Sequence, residues 1–317
     1  MEVWEKWIDR DKFSGVFAVS DEHGVIFEKC CGYRNRSENL PNNIDTAFGI
    51  ASGTKLFTGL SVCKLIKDKK LSLEDKLWDI LPYDLGQIDK DVTAFHLLTH
   101  TSGIGDYIDE ESDNGVAQMR ELYRNNPVYL WDNLEYYLHM ITPLLPKFKP
   151  GERFGYSNAG FVLLGLVIEA VSGISYQSFV KDAIITPHGL VHTGFYRLDS
   201  LPANTAYGYM DDGRTNIFNM PIIGGADGGI FTCAKDLDKL WRNMVIDITD
   251  FESYGLGSYR YDDSVYYAVG GDFGVDFFTA YFPQQKIVVS ALGNTEINTF
   301  PLLYDMLTNA TNAKKFH

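Results

Sequence analysis

The chain reads as an α+β protein: one antiparallel sheet built from both chain termini and flanked by helices, with a large, mostly helical insertion between them. Three observations predict this. A β-hairpin lies near the start, in "SGVFAVSDEHGVIFEKCCGY", where two apolar-rich runs flank Asp21-Glu22-His23-Gly24. Three more strand-like runs, "SVYYAVGG", "DFFTAYFP" and "KIVVSALGN", follow one another near the end with short turns between them. From Ser52 to about residue 250 the pattern is instead mostly helical, with long loops. Hairpin ladders need no crossover helix, so strands from both ends can pair in a single sheet.

Taken in order, residues 2–12 read as a short helix, followed by the hairpin. Helices are expected over 53–69, 128–140, 157–172, 175–184 and 235–246. After Ser52 the apolar positions Leu56, Leu60, Cys63 and Ile66 step by four, three and three, which describes one helical face. In the helix after Tyr156 the apolar face is Phe161, Leu164, Ile168 and Val171, with Gly173 as its stop. The polar, acidic stretch 104–126 reads as a surface loop with some helix, and "INTFPLLYDMLTNATNA" as a closing helix. All 317 residues are expected to form one catalytic domain, its sheet part drawn from about 1–58 and 228–317 and its helical insertion from about 59–227.

Bulk composition narrows the function. With 45% hydrophobic residues the chain can bury a sizeable core, and 28 basic against 42 acidic residues leave a formal charge of −14. Such a chain repels nucleic acid and anionic membrane surfaces, so neither is expected as a partner. The longest apolar run, "FVLLGLVI", falls short of the roughly 18 residues a membrane helix needs. "MEVWEKWIDRDKF" has no apolar signal core. Cys30, Cys31, Cys63 and Cys233 show no metal-ligand spacing and read as free thiols in a reducing compartment. A cytoplasmic location is therefore expected, unless an export signal has been removed.

The chemistry begins at "FGIASGTKLFTG". A serine hydroxyl becomes a nucleophile when a neighbouring base takes its proton. Lys55 lies one helical turn from Ser52 on the same face. It acts as a base only when neutral, a state that burial and nearby positive potential favour. The positive end of the helix dipole at Ser52 works in that direction and favours a developing oxyanion.

Three further stretches add to this: "FKPGERFGYSNAGFVLLGLVIEAVSG", "KKLSLEDKLWDILP" followed by "HLLTHTSG", and "GGADGGIFTCAKDL". With them the chain resembles the serine β-lactamase and penicillin-binding protein family, over about residues 14–295, and within it the class C β-lactamase-like branch of DD-peptidases, D-amino-acid peptidases and esterases. Ser52-Gly53-Thr54-Lys55 matches the first signature, Ser-x-x-Lys, and Tyr156-Ser157-Asn158 the second, Tyr-x-Asn.

The resemblance implies a β-lactamase/transpeptidase-like fold, no cofactor, no metal, and a small-molecule or peptide acyl substrate. It implies a serine hydrolase with an acyl-enzyme on Ser52, acting on an ester, amide or β-lactam-like bond. Lys55 and Tyr156 form the proton network, and which of them takes the first proton stays open. Tyr156 also serves the leaving group and later the attacking water. Asn158 holds Lys55 and donates to a substrate carbonyl, and the Ser52 N–H is one oxyanion donor.

The third signature is Lys-Thr-Gly, or His-x-Gly in this branch. Counting back from Pro283 places it on Ala268-Val269-Gly270, so the basic residue is missing at Ala268; a shifted register puts Asp272 there, with the opposite charge. Gly271 then supplies the second oxyanion N–H. The missing base has three readings: an uncharged ester or amide substrate, a charge supplied by another residue, or an impaired site. The last keeps a non-catalytic binding or assembly module on the same fold as the rival reading.

Other features read as structural. His96 and His100, like His188 and His192, have metal-ligand spacing but lack the H-E-x-x-H carboxylate. "GGADGG" lacks the Lys-Ser/Thr of a phosphate loop and reads as support for the site. Asp106, Asp109 and the acids that follow read as a solvated face, and Ser102 as a turn residue.

Overall fold

Runs of β-branched and aromatic residues draw both ends of the chain into one sheet. The structure, a computed structural model, describes residues 13–108, 115–243, 254–261 and 265–296, with Thr299, Pro301, Leu303, Tyr304 and Leu307. The helix expected over 2–12 and most of the closing helix lie outside these residues.

From the start of the chain come β1 (Gly15–Asp21), β2 (Gly24–Cys31), β3 (Tyr33–Asn35), β4 (Leu40–Pro41) and β5 (Phe48–Gly49). From the end come β6 (Phe231–Thr232), β7 (Tyr254–Gly255), β8 (Ser258–Tyr261), β9 (Val265–Asp272), β10 (Val275–Phe282) and β11 (Ile287–Gly293). Among the described residues seven strands form the main sheet in the order β2-β1-β11-β10-β9-β8-β7. Every pair in it is antiparallel. Strands from the two ends of the chain pair as β1 and β11, second and third in that order, where Phe17 faces Ala291 and Val19 faces Val289 across the ladder. The expected sheet and its hairpin are thus present, and β7 and β8 extend it.

β10 and β11 are buried along nearly their whole length. The reason is that the sheet is covered on both faces. Val16, Ala18, Phe277, Val288 and Leu292 point into the large core shared with the helices. Phe17, Val19, Phe278, Val289 and Ala291 point the other way, onto Leu303 and Leu307, which lie four apart in helical conformation.

The described helices are α1 (Thr54–Lys67), α2 (Leu77–Ile80), α3 (Ala94–Leu98), α4 (Gly115–Asn125), α5 (Leu138–Ile141), α6 (Asn158–Ser172), α7 (Tyr176–Val180) and α8 (Ala234–Asn243). α6 is buried all round from Asn158 to Ile168, not on one stripe, because it is the central helix of the insertion. Gly173 ends it in the left-handed conformation at φ 76°, as the sequence suggested. No single helix among the described residues is long and apolar enough to cross a membrane.

Two helix expectations need correction. The face read for α1 is half-buried beyond Leu56, whereas Phe57, Val62 and Leu65 are fully buried together with Thr54, Thr58 and Ser61. The helix is enclosed on more than one side, so a single apolar stripe does not describe it. The helix expected over 128–140 is broken into two 3-10 turns, Val128–Leu130 and Leu134–Tyr137, before α5. Pro127 precedes the first turn, and the Asn133 side chain accepts from Glu135 N–H to start the second. Within 104–126, α4 supplies the helix.

Candidate active site

Ser52 sits in a 3-10 turn, Ala51–Gly53, that leads into α1. Ala51, just before it, is held at φ 44°, a left-handed conformation that side chains other than glycine rarely adopt. Two contacts hold the turn: Thr54 Oγ1 donates to Ala51 C=O at 2.7 Å and accepts from Ile230 N–H at 3.0 Å. The turn thereby leaves Ser52 half-buried at the entrance to α1, near the positive end of its dipole.

Lys55 follows one turn later and is only 1% exposed. Its Nζ donates to Ser52 Oγ at 3.0 Å, to Asn158 Oδ1 at 2.7 Å and to the Asp227 carbonyl at 2.7 Å. Tyr156 comes from the loop before α6, and its hydroxyl lies 2.9 Å from Ser52 Oγ. Its ring centroid is 5.1 Å from Lys55 Nζ. Ser52, Lys55, Tyr156 and Asn158 therefore converge although 106 positions separate the first from the last.

Several supports were not read as such in the sequence. Ser157, not Asn158, caps α6: its side chain accepts from Gly160 N–H, which frees Asn158 to face Lys55. Asp106 belongs to this site and not to a solvated face. Its carboxylate accepts from Asn158 N–H at 2.6 Å and Ala159 N–H at 3.2 Å, at the end of α6 where negative charge is favoured. Asp109 lies outside the described residues. The "GGADGG" stretch carries the carbonyls of Ala226, which accepts from Thr58, and Asp227, which accepts from Lys55.

His100 has a part the four-residue histidine spacing did not reveal. It lies beyond α3 at φ 55°, while His96 lies within α3 in a capping box with Thr93. The His100 carbonyl accepts from Gly155 N–H at 2.8 Å and its Nδ1 from Ser157 N–H at 3.1 Å. Its ring packs 4.5 Å from that of Tyr156. Burial, then the nearby Lys55 charge, holds the imidazole well below its usual range, so it is neutral. His100→Ala should therefore loosen Tyr156, lowering turnover roughly tenfold or more and stability by about 2–4 kcal/mol. Steady-state kinetics and thermal melting check this; wild-type kinetics in the variant would contradict it.

The third-signature strand, β9, runs beside the Ser52 turn. Ala268 is 2% exposed and packs in the helical core, presenting no polar group. Gly270 touches the turn so closely that a Cβ there would lie 2.2 Å from Ile50 O and 2.9 Å from Ser52 N, whereas nothing lies within 4 Å of one on Gly271. Gly270→Ala should accordingly push β9 off the turn and remove most activity, while Gly271→Ala folds like the wild type. Melting and kinetics on the two variants compare them directly.

A cleft of about 550 Å³, counted with its open mouth, borders this region. Among the described residues, its wall includes Ala51 of the Ser52 turn, Asp227, whose carbonyl accepts from Lys55, and Asp272, next to Gly271.

The comparisons show the family and the fold. The family described as Beta-lactamase matches residues 5–305. A penicillin-binding protein structure from Bacillus halodurans shares 35% identity at a TM-score of 0.85, covering 97% of this chain and 99% of that one. The octameric penicillin-binding protein homologue from Pyrococcus abyssi shares 28% identity at a TM-score of 0.76, covering 96% and 76%. Penicillin-binding protein 4* of Bacillus subtilis is 31% identical over 222 residues, 69% of this chain and 47% of that protein. The chain thus spans about half the length of the curated relatives it matches.

Proposed function

The chain belongs to the beta-lactamase family, and from that premise we propose that it is a serine hydrolase that carries an acyl group on Ser52, taken from an ester, amide or β-lactam-like bond. Relatives on this fold are serine hydrolases. The observation that carries the reading is the placement of Ser52 Oγ within hydrogen-bond reach of both Lys55 Nζ and Tyr156 Oη, at 3.0 and 2.9 Å.

The hydrogen bonding favours one order of proton transfer. An ammonium has three donors, and Lys55 Nζ faces three acceptors, so the protonated amine fits its surroundings. With Tyr156 as the phenolate beside the Lys55 ammonium, the serine proton passes to the phenolate oxygen while Oγ attacks the acyl carbon. The N–H groups of Ser52 and Gly271 hold the resulting oxyanion. Tyr156 returns the proton to the leaving group as the tetrahedral intermediate collapses to the acyl-enzyme. It next takes a proton from the water that attacks the ester, and Ser52 recovers a proton as the acid departs.

Ala268 favours the rival reading, a binding module without turnover. A fluorophosphonate probe separates the two. Labelling of the peptide that holds Ser52, lost in Ser52→Ala, supports the hydrolase. No labelling of any serine, beside tight binding of a peptide, supports the module.

A further inference from the structure

We propose that the cleft beside Ser52 selects acyl groups bearing a positive charge, an ammonium or quaternary ammonium, which Asp272 and Asp227 meet with their carboxylates. The inference rests on the acyl-enzyme reading above and names its substrate class.

The argument starts at β9. Its sequence, Val265 to Asp272, contains one charged side chain, that of Asp272. Ala268, where the resemblance expects a cation, is buried and apolar. The strand therefore offers the cleft a carboxylate and no base. Asp227 stands on the same wall; its Oδ2 accepts from Tyr107, and its carbonyl from Lys55. Among the described residues lining the cleft there is no Lys, Arg or His.

The rings add to this. Tyr123 and Tyr137 line the same cleft, and an aromatic face attracts a cation through its quadrupole. Tyr137 registers the field of both acids. Burial first, then the charges of Asp227 and Asp272, hold its phenol well above the usual range. A substrate carboxylate would meet the same field with the opposite sign.

The cleft adjoins the nucleophile's surroundings at two points: Ala51, which precedes Ser52, and Asp272, which follows Gly271, both line it.

Three p-nitrophenyl esters test the proposal: that of γ-trimethylammoniobutyrate, that of the uncharged acid in which carbon replaces the nitrogen, and the monoester of glutarate. The wild type should turn over the cationic ester with a kcat/KM at least roughly tenfold above that of its neutral isostere, and the glutarate ester more slowly still. The ratio of cationic to neutral should shrink as salt is raised, and should fall toward one in Asp272→Asn and Asp227→Asn. Turnover of the neutral ester as fast as the cationic one by the wild type overturns this inference and leaves the acyl-enzyme reading intact. Failure to turn over any of the three, with no acyl adduct on Ser52, overturns both. The wild-type ratio decides the matter even if a variant fails to fold.

Discussion

Ser52→Ala is expected to lower turnover of any acyl substrate by a factor of about 10,000 or more, with little change in the melting curve. The hydroxyl sits half-buried at the start of α1, so its loss opens no large cavity. Lys55 keeps Asn158 Oδ1 and the Asp227 carbonyl as partners after Oγ is removed. The backbone N–H of residue 52 remains, so substrate binding should persist with KM little changed. Chemistry alone should fail. Kinetics on a chromogenic ester, with thermal melting alongside, checks both halves. A variant that hydrolyses the ester as fast as the wild type would show that another group carries the acyl chain.

Lys55→Ala should cost activity on a similar scale, roughly 1,000-fold or more, and stability as well. The side chain is among the largest fully buried ones in the described residues. Alanine would leave a void where the stem was, with Asn158 Oδ1 and the Asp227 carbonyl deprived of a buried donor. That combination costs about 2–4 kcal/mol. Lys55→Met separates the two effects: the thioether chain refills most of the volume but donates nothing. It should melt closer to the wild type than Lys55→Ala does, yet be as inactive. Recovery of activity with methionine would mean that Lys55 only fills space.

What could be read from the sequence, and what could not, follows from where each signal resides. The hairpin at Asp21–Gly24 and the strands β9, β10 and β11 were legible because β-branched and aromatic runs between turn residues are a local pattern. Ser52 and Lys55, and Tyr156 and Asn158, were legible as the Ser-x-x-Lys and Tyr-x-Asn signatures of the family the chain resembles, because each is a short local pattern; the fold is what brings the two together. The supports were not. Asp227 holds Lys55 through its carbonyl, and any residue has a carbonyl; His100 holds the Tyr156 loop through its carbonyl and its ring, which only the fold brings to that loop. Asp106 opens an acidic stretch, and only the fold brings its carboxylate to the first turn of α6. The face of α1 was misread for a related reason. A helix enclosed on several sides buries Thr58 and Ser61 because their hydroxyls find carbonyls, at Ala226 and Phe57, and hydrophobic periodicity does not register that. Over 128–140 a single helix was expected, but Asn133 competes for the backbone and restarts the chain.

The central claim, that an acyl group rests on Ser52 during turnover, is tested most directly by rapid quenching with a p-nitrophenyl ester followed by peptide mass mapping. The account predicts a burst of nitrophenol that approaches one equivalent per chain, with the acyl mass on the peptide that contains Ser52 and absent from Ser52→Ala. Steady release without a burst and without any adduct, or the acyl mass on a different residue, would contradict it.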